Sequence, residues 1–333
     1  MRQLNYTRAD TTGQAIAAYG QAGEQARYIA GGTTLYDLMK LGVEQPLHLV
    51  DISDLRGNDR IDTTGDRLFF GACARMADVA ENPVVRRDYP VLAESLSKAA
   101  SQQLRNMASI GGNLMQRTRC PYFRNGAHGV FPCNKREPGS GCAAIGGIDR
   151  GQAVLGTSSA CTAVSPGDWP VALTALDATI ELAGPTGTRS APIAEFYLLP
   201  GSTPQREFAI RPGEIVTGIS VPKTPAGRRS TYHKVRDRES YAFALASAAV
   251  ALTLERGTIT TAQVALGGVG TRPWRARETE ALLQGKRPTR DVALAAARAA
   301  FADARPGQHN GFKIELGART IADAVVIAAG RTA

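Results

Sequence analysis

The spacing of hydrophobic positions changes repeatedly along this chain, and the changes divide it into three regions. Thr12 to Tyr19 carries three alanines and an isoleucine, a run of helical character. Arg27-Tyr28-Ile29-Ala30 predicts a short strand, and Gly31-Gly32-Thr33 a tight turn. Apolar side chains at Leu35, Leu38, Met39 and Leu41 then recur at the interval of one helix face, which predicts a helix over 34–41. His48 to Ile52 (HLVDI) predicts the next strand. The first 55 residues thus read as a small α/β unit: strand, turn, helix, strand.

Residues 60–225 alternate short strands (Leu68 to Cys73) with helical patterns (Val91 to Met107, Trp169 to Leu176). Proline and glycine clusters at 138–141, 184–187 and 200–213 punctuate them. A seam lies near Val221-Pro222-Lys223-Thr224-Pro225-Ala226-Gly227. Beyond it come strand-like runs at Thr231 to Val235, Leu245 to Leu254 and Thr261 to Gly268, followed by alanine-rich helices at 291–304 and 320–330. Strands first and helices after predict an α+β domain. The expected division is 1–55, 56–225 and 226–333.

Composition narrows the classes. Hydrophobic content of 43% and charged content of 21% are ordinary for a globular protein. The longest apolar run, Phe243 to Leu254, is interrupted by Ser247 and Thr253, and at about 12 residues it is too short to span a bilayer. Met1 to Tyr6 runs straight into polar sequence, so no export signal is expected; the chain would reach the periplasm only by folding onto a partner that carries one. The net charge is +9, but the basic residues are dispersed, which favours docking to an acidic partner over nucleic acid. Five cysteines, an odd number bunched in one segment, do not resemble a secreted disulfide framework.

Two glycine loops are candidates for phosphate binding. Ile29-Ala30-Gly31-Gly32-Thr33-Thr34-Leu35 ends a strand and opens a helix, where free N–H groups favour an anion. Thr33 or Thr34 is placed to cap that helix, with Asp37 as the acidic member of a capping box. Ser109-Ile110-Gly111-Gly112-Asn113-Leu114 follows the helical pattern ending near Met107 and offers a second set of donors. Together the loops could clasp the two phosphates of a dinucleotide from opposite sides, although neither is a G-x-G-x-x-G or P-loop signature.

Cys120, Cys133, Cys142 and Cys161 fall within 42 residues, separated by 12, 8 and 18 others. Structural zinc sites usually use C-x₂₋₄-C knuckles, which are missing here. Iron–sulfur clusters accept loop-borne, widely spaced cysteines, and Cys120-Pro121 echoes a ferredoxin pairing. Cluster, zinc and unrelated thiols all stay open on chemistry alone. His128 reads as a surface residue, and Cys73, at the end of an apolar strand, as a buried core residue.

Taken together these residues resemble the FAD-binding subunits of the molybdenum hydroxylases, the family of xanthine dehydrogenase and carbon monoxide dehydrogenase. The resemblance runs over essentially the whole chain. It is carried by Ala30-Gly31-Gly32-Thr33, Ser109 to Leu114, Ser165-Pro166-Gly167-Asp168 and Lys234-Val235-Arg236-Asp237-Arg238. Gln116 to Phe123, Pro132 to Arg136, Pro138 to Ala144 and Ser240 to Ala244 resemble the flavin subunit of bacterial periplasmic aldehyde oxidoreductases in particular. Ser165 is a departure, since relatives often have His before Pro-x-Asp.

The resemblance implies a two-part FAD-binding domain, a small mixed α/β unit plus a larger sheet unit, followed by a C-terminal domain with a small antiparallel sheet and helices. It implies that the cysteine segment, about 117–162, is an insertion holding a [4Fe–4S] cluster on Cys120, Cys133, Cys142 and Cys161; 4-hydroxybenzoyl-CoA reductase has a comparable one. FAD would be held by Arg27, Tyr28, Ile29, Ala30, Gly31, Gly32, Thr33, Thr34 and Leu35 and by Ser109, Ile110, Gly112 and Asn113. Arg119, Asp168 and Lys234 would be further contacts, Asp168 as an acceptor and Lys234 as a cation beside the reduced flavin; the plainer reading of Lys234 is an exposed strand lysine.

The implied activity is electron transfer. An aldehyde would be oxidised at a molybdenum cofactor in a large partner subunit, with electrons passing through two [2Fe–2S] clusters of a small partner to FAD here and then to an external acceptor. Nothing in the chain resembles a molybdenum or [2Fe–2S] segment. The rivals are a related hydroxylase acting on an aromatic acyl-CoA or xanthine-type substrate, a stand-alone flavin reductase resembling UDP-N-acetylenolpyruvoylglucosamine reductase, and a nucleic-acid-binding protein stabilised by zinc on the four cysteines. Periplasm by co-export is the expected location, with cytoplasm the alternative.

Overall fold

A computed structural model describes residues 3–126 and 129–332, so His128 lies outside the described residues. Strands β1 (Asn5–Arg8), β2 (Ala26–Ile29) and β3 (His48–Asp51) form a parallel sheet in the order β1-β3-β2. Parallel neighbours need crossovers, and helices Thr12–Ala22 and Leu35–Lys40 supply them. The short, largely exposed β1 was not evident in the sequence, because Asn5-Tyr6-Thr7-Arg8 buries little. The loop after Ile29 leaves the sheet at the carboxyl end of β2, the edge where open α/β sheets bind ligands.

The second sheet contains β4 (Ile61–Asp62), β5 (Arg67–Gly71), β6 (Thr179–Gly184), β7 (Gly187–Pro192) and β8 (Ile215–Pro222). All neighbours are antiparallel, in the order β4-β5-β8-β6-β7. Between β5 and β6 the chain makes several short helices that bury Trp169, Leu92, Leu96 and Ile110 against Leu68, Phe70 and Ile180. Phe70 meets Trp169 edge-on at 5.6 Å. The single helix expected over 91–107 is two, Pro90–Ser97 and Gln102–Met107. Ala100 takes φ +48°, and the Ser101 hydroxyl accepts from Leu104 N–H to start the second. The break contains neither glycine nor proline, so periodicity alone could not show it.

The third sheet is antiparallel, in the order β12-β11-β10-β9, from β9 (Ser230–Val235), β10 (Ala246–Glu255), β11 (Thr258–Gly267) and β12 (Trp274–Arg275). Arg256-Gly257, both with positive φ, close the tight β10–β11 hairpin. Strand β10 is buried on both faces. Ala249 and Ala251 pack on the large unit, while Val250 and Leu252 meet Ile321 and Val325 of helix Phe312–Ala329. That helix starts well before the expected 320. The order of strands followed by helices is as the sequence implied.

Candidate functional site

The first glycine loop is rich in unused donors. Among the described residues the backbone amides of Gly31, Gly32, Thr33 and Thr34 donate to no protein acceptor. Gly32 needs its missing side chain because it sits at φ +73°. Gly31 needs it for close approach: a Cβ there would lie 1.9 Å from the Met107 carbonyl oxygen. The expected capping box does not form. Thr34 makes no side-chain cap, and the Asp37 carboxylate instead accepts from Arg119 Nη1 at 3.0 Å and Arg124 Nη2 at 2.7 Å. Two tertiary arginines outcompete a local cap.

The second loop works differently from the expectation of a matching amide cradle. Its N–H groups are used internally: Ile110 donates to Ala74 O, Gly111 to Ala72 O and Asn113 to Ser109 O, all at 2.9 Å, and Gly112 donates to Ser109 Oγ at 3.1 Å. A Cβ at Gly111 would lie 2.8 Å from that of Ala72, so this glycine serves contact with the sheet unit. What the loop presents outward is side chain. Asn113 Oδ1 is buried without a hydrogen-bond partner, an orphan that a bound molecule would satisfy.

Two cavities flank these loops and share Gly32, Thr33, Thr34 and Gly112 in their walls. The larger, about 890 Å³, reaches Asn113, Arg119, Asp168, Lys234 and Tyr241. At its inner end Lys234 Nζ lies 2.8 Å from Asp168 Oδ2 and donates to Lys98 O at 2.9 Å, while Tyr232 Oη donates to Asp168 Oδ1 at 2.5 Å. The Lys234 side chain is 1% exposed, which overturns the reading of an exposed strand lysine. Both oxygens of Asp168 already have donors. Burial pushes its carboxyl up, against the pull of Lys234 and Tyr232. Arg119 stacks its guanidinium 5.1 Å from the Phe243 ring centre, and its Nε is buried without a partner.

The smaller cavity, about 330 Å³, is lined by Arg27 through Leu35, Leu38, Glu44, Ser109, Gly112, Arg117 and Glu207. Arg117 donates to Glu44 Oε1 and Glu207 Oε1, each at 2.7 Å, and lies 4.5 Å from the Phe123 ring centre. The two carboxylates hold its pKa above the ordinary arginine value despite burial. Arg27 and Lys135 extend the row at 3.2 Å from the far oxygens of Glu44 and Glu207. Sequence reasoning missed Arg117, Glu44 and Glu207 as a unit: the partners stand 73 and 90 residues from the arginine.

Among the described residues the cysteine segment has no strand beyond isolated bridges, one of which joins Cys133 to Cys142. Cys120, Cys133 and Cys161 are buried in one apolar cluster with Leu38, Phe123 and Ala163. Cys142 and Cys120 both lie close enough to Cys161 to raise its thiol, which burial already pushes up to about 11. Gln152 Nε2 donates to Cys120 Sγ, and Ala163 N to Cys161 Sγ, both at 3.4 Å. Among the described residues no group of three or more His, Cys, Asp or Glu side chains is arranged to hold a metal ion. Cys73 stands apart, half-buried with its thiol donating to Ile52 O at 3.2 Å.

Comparison with known proteins sets this geometry in a family. Residues 2–224 match the family described as the FAD binding domain in molybdopterin dehydrogenase, and residues 230–329 match the CO dehydrogenase flavoprotein C-terminal domain. This chain is an FAD-binding subunit of the molybdenum hydroxylase family. It is 46% identical over 325 residues to the Aldehyde oxidoreductase FAD-binding subunit PaoB of Escherichia coli, covering 97% of each chain. The carbon monoxide dehydrogenase medium chain of Afipia carboxidovorans is 29% identical over 92% of this chain and 89% of its own. A solved carbon monoxide dehydrogenase structure from Hydrogenophaga pseudoflava superposes with a TM-score of 0.77 at 27% identity, covering 100% of this chain and 99% of that one. The chain is therefore an oxidoreductase subunit with an FAD-binding domain and a C-terminal domain. No described helix is long and apolar enough to cross a membrane.

Proposed function

We propose that this chain is the FAD- and [4Fe–4S]-carrying electron-transfer subunit of a heteromeric, molybdenum-dependent aldehyde oxidoreductase. Its partners are a large molybdenum-cofactor subunit and a small subunit with two [2Fe–2S] clusters, and it delivers electrons to an external acceptor. The observation that carries the reading is the row of unpaired amides at Gly31 to Thr34, of which Gly32, Thr33 and Thr34 stand in the wall common to two cavities. A dinucleotide laid across such a wall would have its pyrophosphate on the amides and one end in each cavity. The similarity to the Escherichia coli aldehyde oxidoreductase subunit supports aldehydes as the substrate class.

FAD, when bound, supplies a carrier that accepts two electrons together and releases them singly or in pairs. The residues of this chain do the rest. The amides of Gly31 to Thr34 would hold the phosphates, and Asn113 Oδ1 and Arg119 Nε would gain the partners they lack. Lys234, fixed by Asp168 and Lys98 O, keeps a positive charge at the inner end of the larger cavity without a mobile side chain. Phe243 and Tyr241 line the same cavity.

On this reading the four cysteines hold a polynuclear cluster and not one ion. A single zinc would draw four sulfurs to about 2.3 Å from one point, whereas the sulfurs of a [4Fe–4S] site ring a larger body. Three buried cysteines in an apolar nest, with N–H groups aimed at two of the sulfurs, fit that body's requirements.

Delivery to the periplasm by co-export with a signal-bearing partner belongs to the same reading. The test is to mix the assembled, anaerobic complex with an aldehyde and follow the flavin absorption. Bleaching at the rate of aldehyde loss supports the proposal; a flavin that stays oxidised while aldehyde is consumed contradicts it.

A further inference from the structure

The cysteine pocket contains a side chain that neither the fold nor the flavin site requires. Gln152 is buried, and its Nε2 donates to Cys120 Sγ at 3.4 Å. Among the described residues no other side chain donates a hydrogen bond to any of the four cysteine sulfurs. Its Oε1 is buried with no partner. An amide retained for stability would satisfy both ends; this one leaves its oxygen bare and turns its donor to sulfur. Rotating the amide would instead set oxygen lone pairs against a thiolate, the worse arrangement.

The backbone around Gln152 is anchored on both sides. Gln152 N donates to Asp149 O at 2.8 Å, and Ala153 N donates to Thr162 O at 2.9 Å, tying the residue to the strand-like stretch beside Cys161. From the C-terminal domain, buried Asn310 reaches over with Nδ2 to Gln152 O at 3.3 Å and Ala153 O at 3.2 Å. The Gln152 backbone is therefore held in place by the stretch beside Cys161 and by Asn310 of the C-terminal domain. Such support is what orients an outer-shell donor.

We infer that Gln152 is a positioning residue that sets the reduction potential of the [4Fe–4S] cluster through its N–H···S bond to Cys120. The inference rests on the cluster reading proposed above. Adding an electron makes the cluster more negative and puts charge on its ligand sulfurs. A donor at one sulfur stabilises that reduced state and raises the potential. It leaves the FAD potential alone, because Gln152 lines neither of the two flanking cavities.

The experiment is a redox titration of the assembled complex, followed by electron paramagnetic resonance, with Gln152→Met and Gln152→Glu beside the parent. Methionine keeps the volume and removes the donor; glutamate keeps the shape and replaces the donor with an acceptor. The expected order of cluster potentials is parent highest, methionine lower, glutamate lowest, with iron and sulfide per chain and the flavin potential unchanged. Equal cluster potentials in parent and Gln152→Met overturn the inference. Should neither variant fold, nitrogen-15 labelling of glutamine side chains in the parent decides it: a nitrogen coupling to the reduced cluster is expected, and its absence overturns the assignment. A parent complex with only the four irons of the partner's [2Fe–2S] clusters and no four-iron signal overturns the cluster reading itself, a result distinct from an unshifted potential.

Discussion

Gly31 and Met107 touch backbone to backbone: a Cβ on Gly31 would stand 1.9 Å from the Met107 carbonyl oxygen. This contact closes the first glycine loop against the end of helix Gln102–Met107. It also fixes the spacing between the unpaired amides of Gly31 to Thr34 and the Asn113 side chain. Gly31→Ala should therefore separate the loops, lowering FAD content well below one per chain and costing about 1–3 kcal/mol of stability. Gly13→Ala, with open space around its Cβ in helix Thr12–Ala22, should retain full flavin. Flavin analysis and thermal unfolding of both variants check this.

The Asp168–Lys234 pair makes a second prediction. Both side chains are buried and hydrogen-bonded, so removing one charge strands the other. Lys234→Met alone should destabilise the chain by about 3–5 kcal/mol. Adding Asp168→Asn should recover a substantial part of that loss, since no buried charge is left alone. A double change that simply adds the two single losses would show that the residues are not coupled.

Cysteine replacement separates the two kinds of thiol. Cys133→Ser removes one sulfur from the apolar nest shared with Cys120 and Cys161. It should lower iron by about one cluster per chain. Cys73→Ser, whose thiol bonds to Ile52 O away from that nest, should leave iron unchanged. Iron analysis of the two purified variants decides, and full iron in both would refute the ligand assignment.

Stability should also respond to pH through Lys313. Its amine is buried against Gly268 O at 2.7 Å, and burial pushes its pKa down to about 8. Between about pH 8 and the ordinary lysine value the folded chain binds fewer protons than the unfolded one, so folding gains stability as pH rises through that window. Below it both states are protonated and the cost of burying the charge is constant. Relative to Lys313→Met, the parent should gain about 1–3 kcal/mol between pH 8 and pH 10. A pH-independent difference in unfolding free energy would contradict the assignment.

The sequence was most readable where local pattern and global fold agree. The run from Ile29 to Leu35 marks a strand end, a turn and a helix start, and the structure forms all three. The C-terminal strands and helices were legible because Leu245 to Leu254 and the alanine-rich segments carry long, consistent periods. Legibility ended where distant residues decide. Asp37 looked like a local cap, but Arg119 and Arg124 claim its carboxylate. Ser109 to Asn113 looked like a second amide cradle, but Ala72 and Ala74 at the end of β5 and Ser109 itself accept those protons. Lys234 looked as though it could be exposed until β9 was packed against Asp168. Glu44, Arg117 and Glu207 carried no local signal, because pairing across 73 and 90 residues exists only in the folded chain.

Cofactor analysis of the chain purified without oxygen alongside its partner subunits tests the account most directly. One FAD and eight iron atoms with matching sulfide per complex, four of them beyond those of the partner's two [2Fe–2S] clusters, are what the two flanking cavities and the sulfur nest predict. A complex with no flavin and only the four irons of the partner's [2Fe–2S] clusters would contradict it.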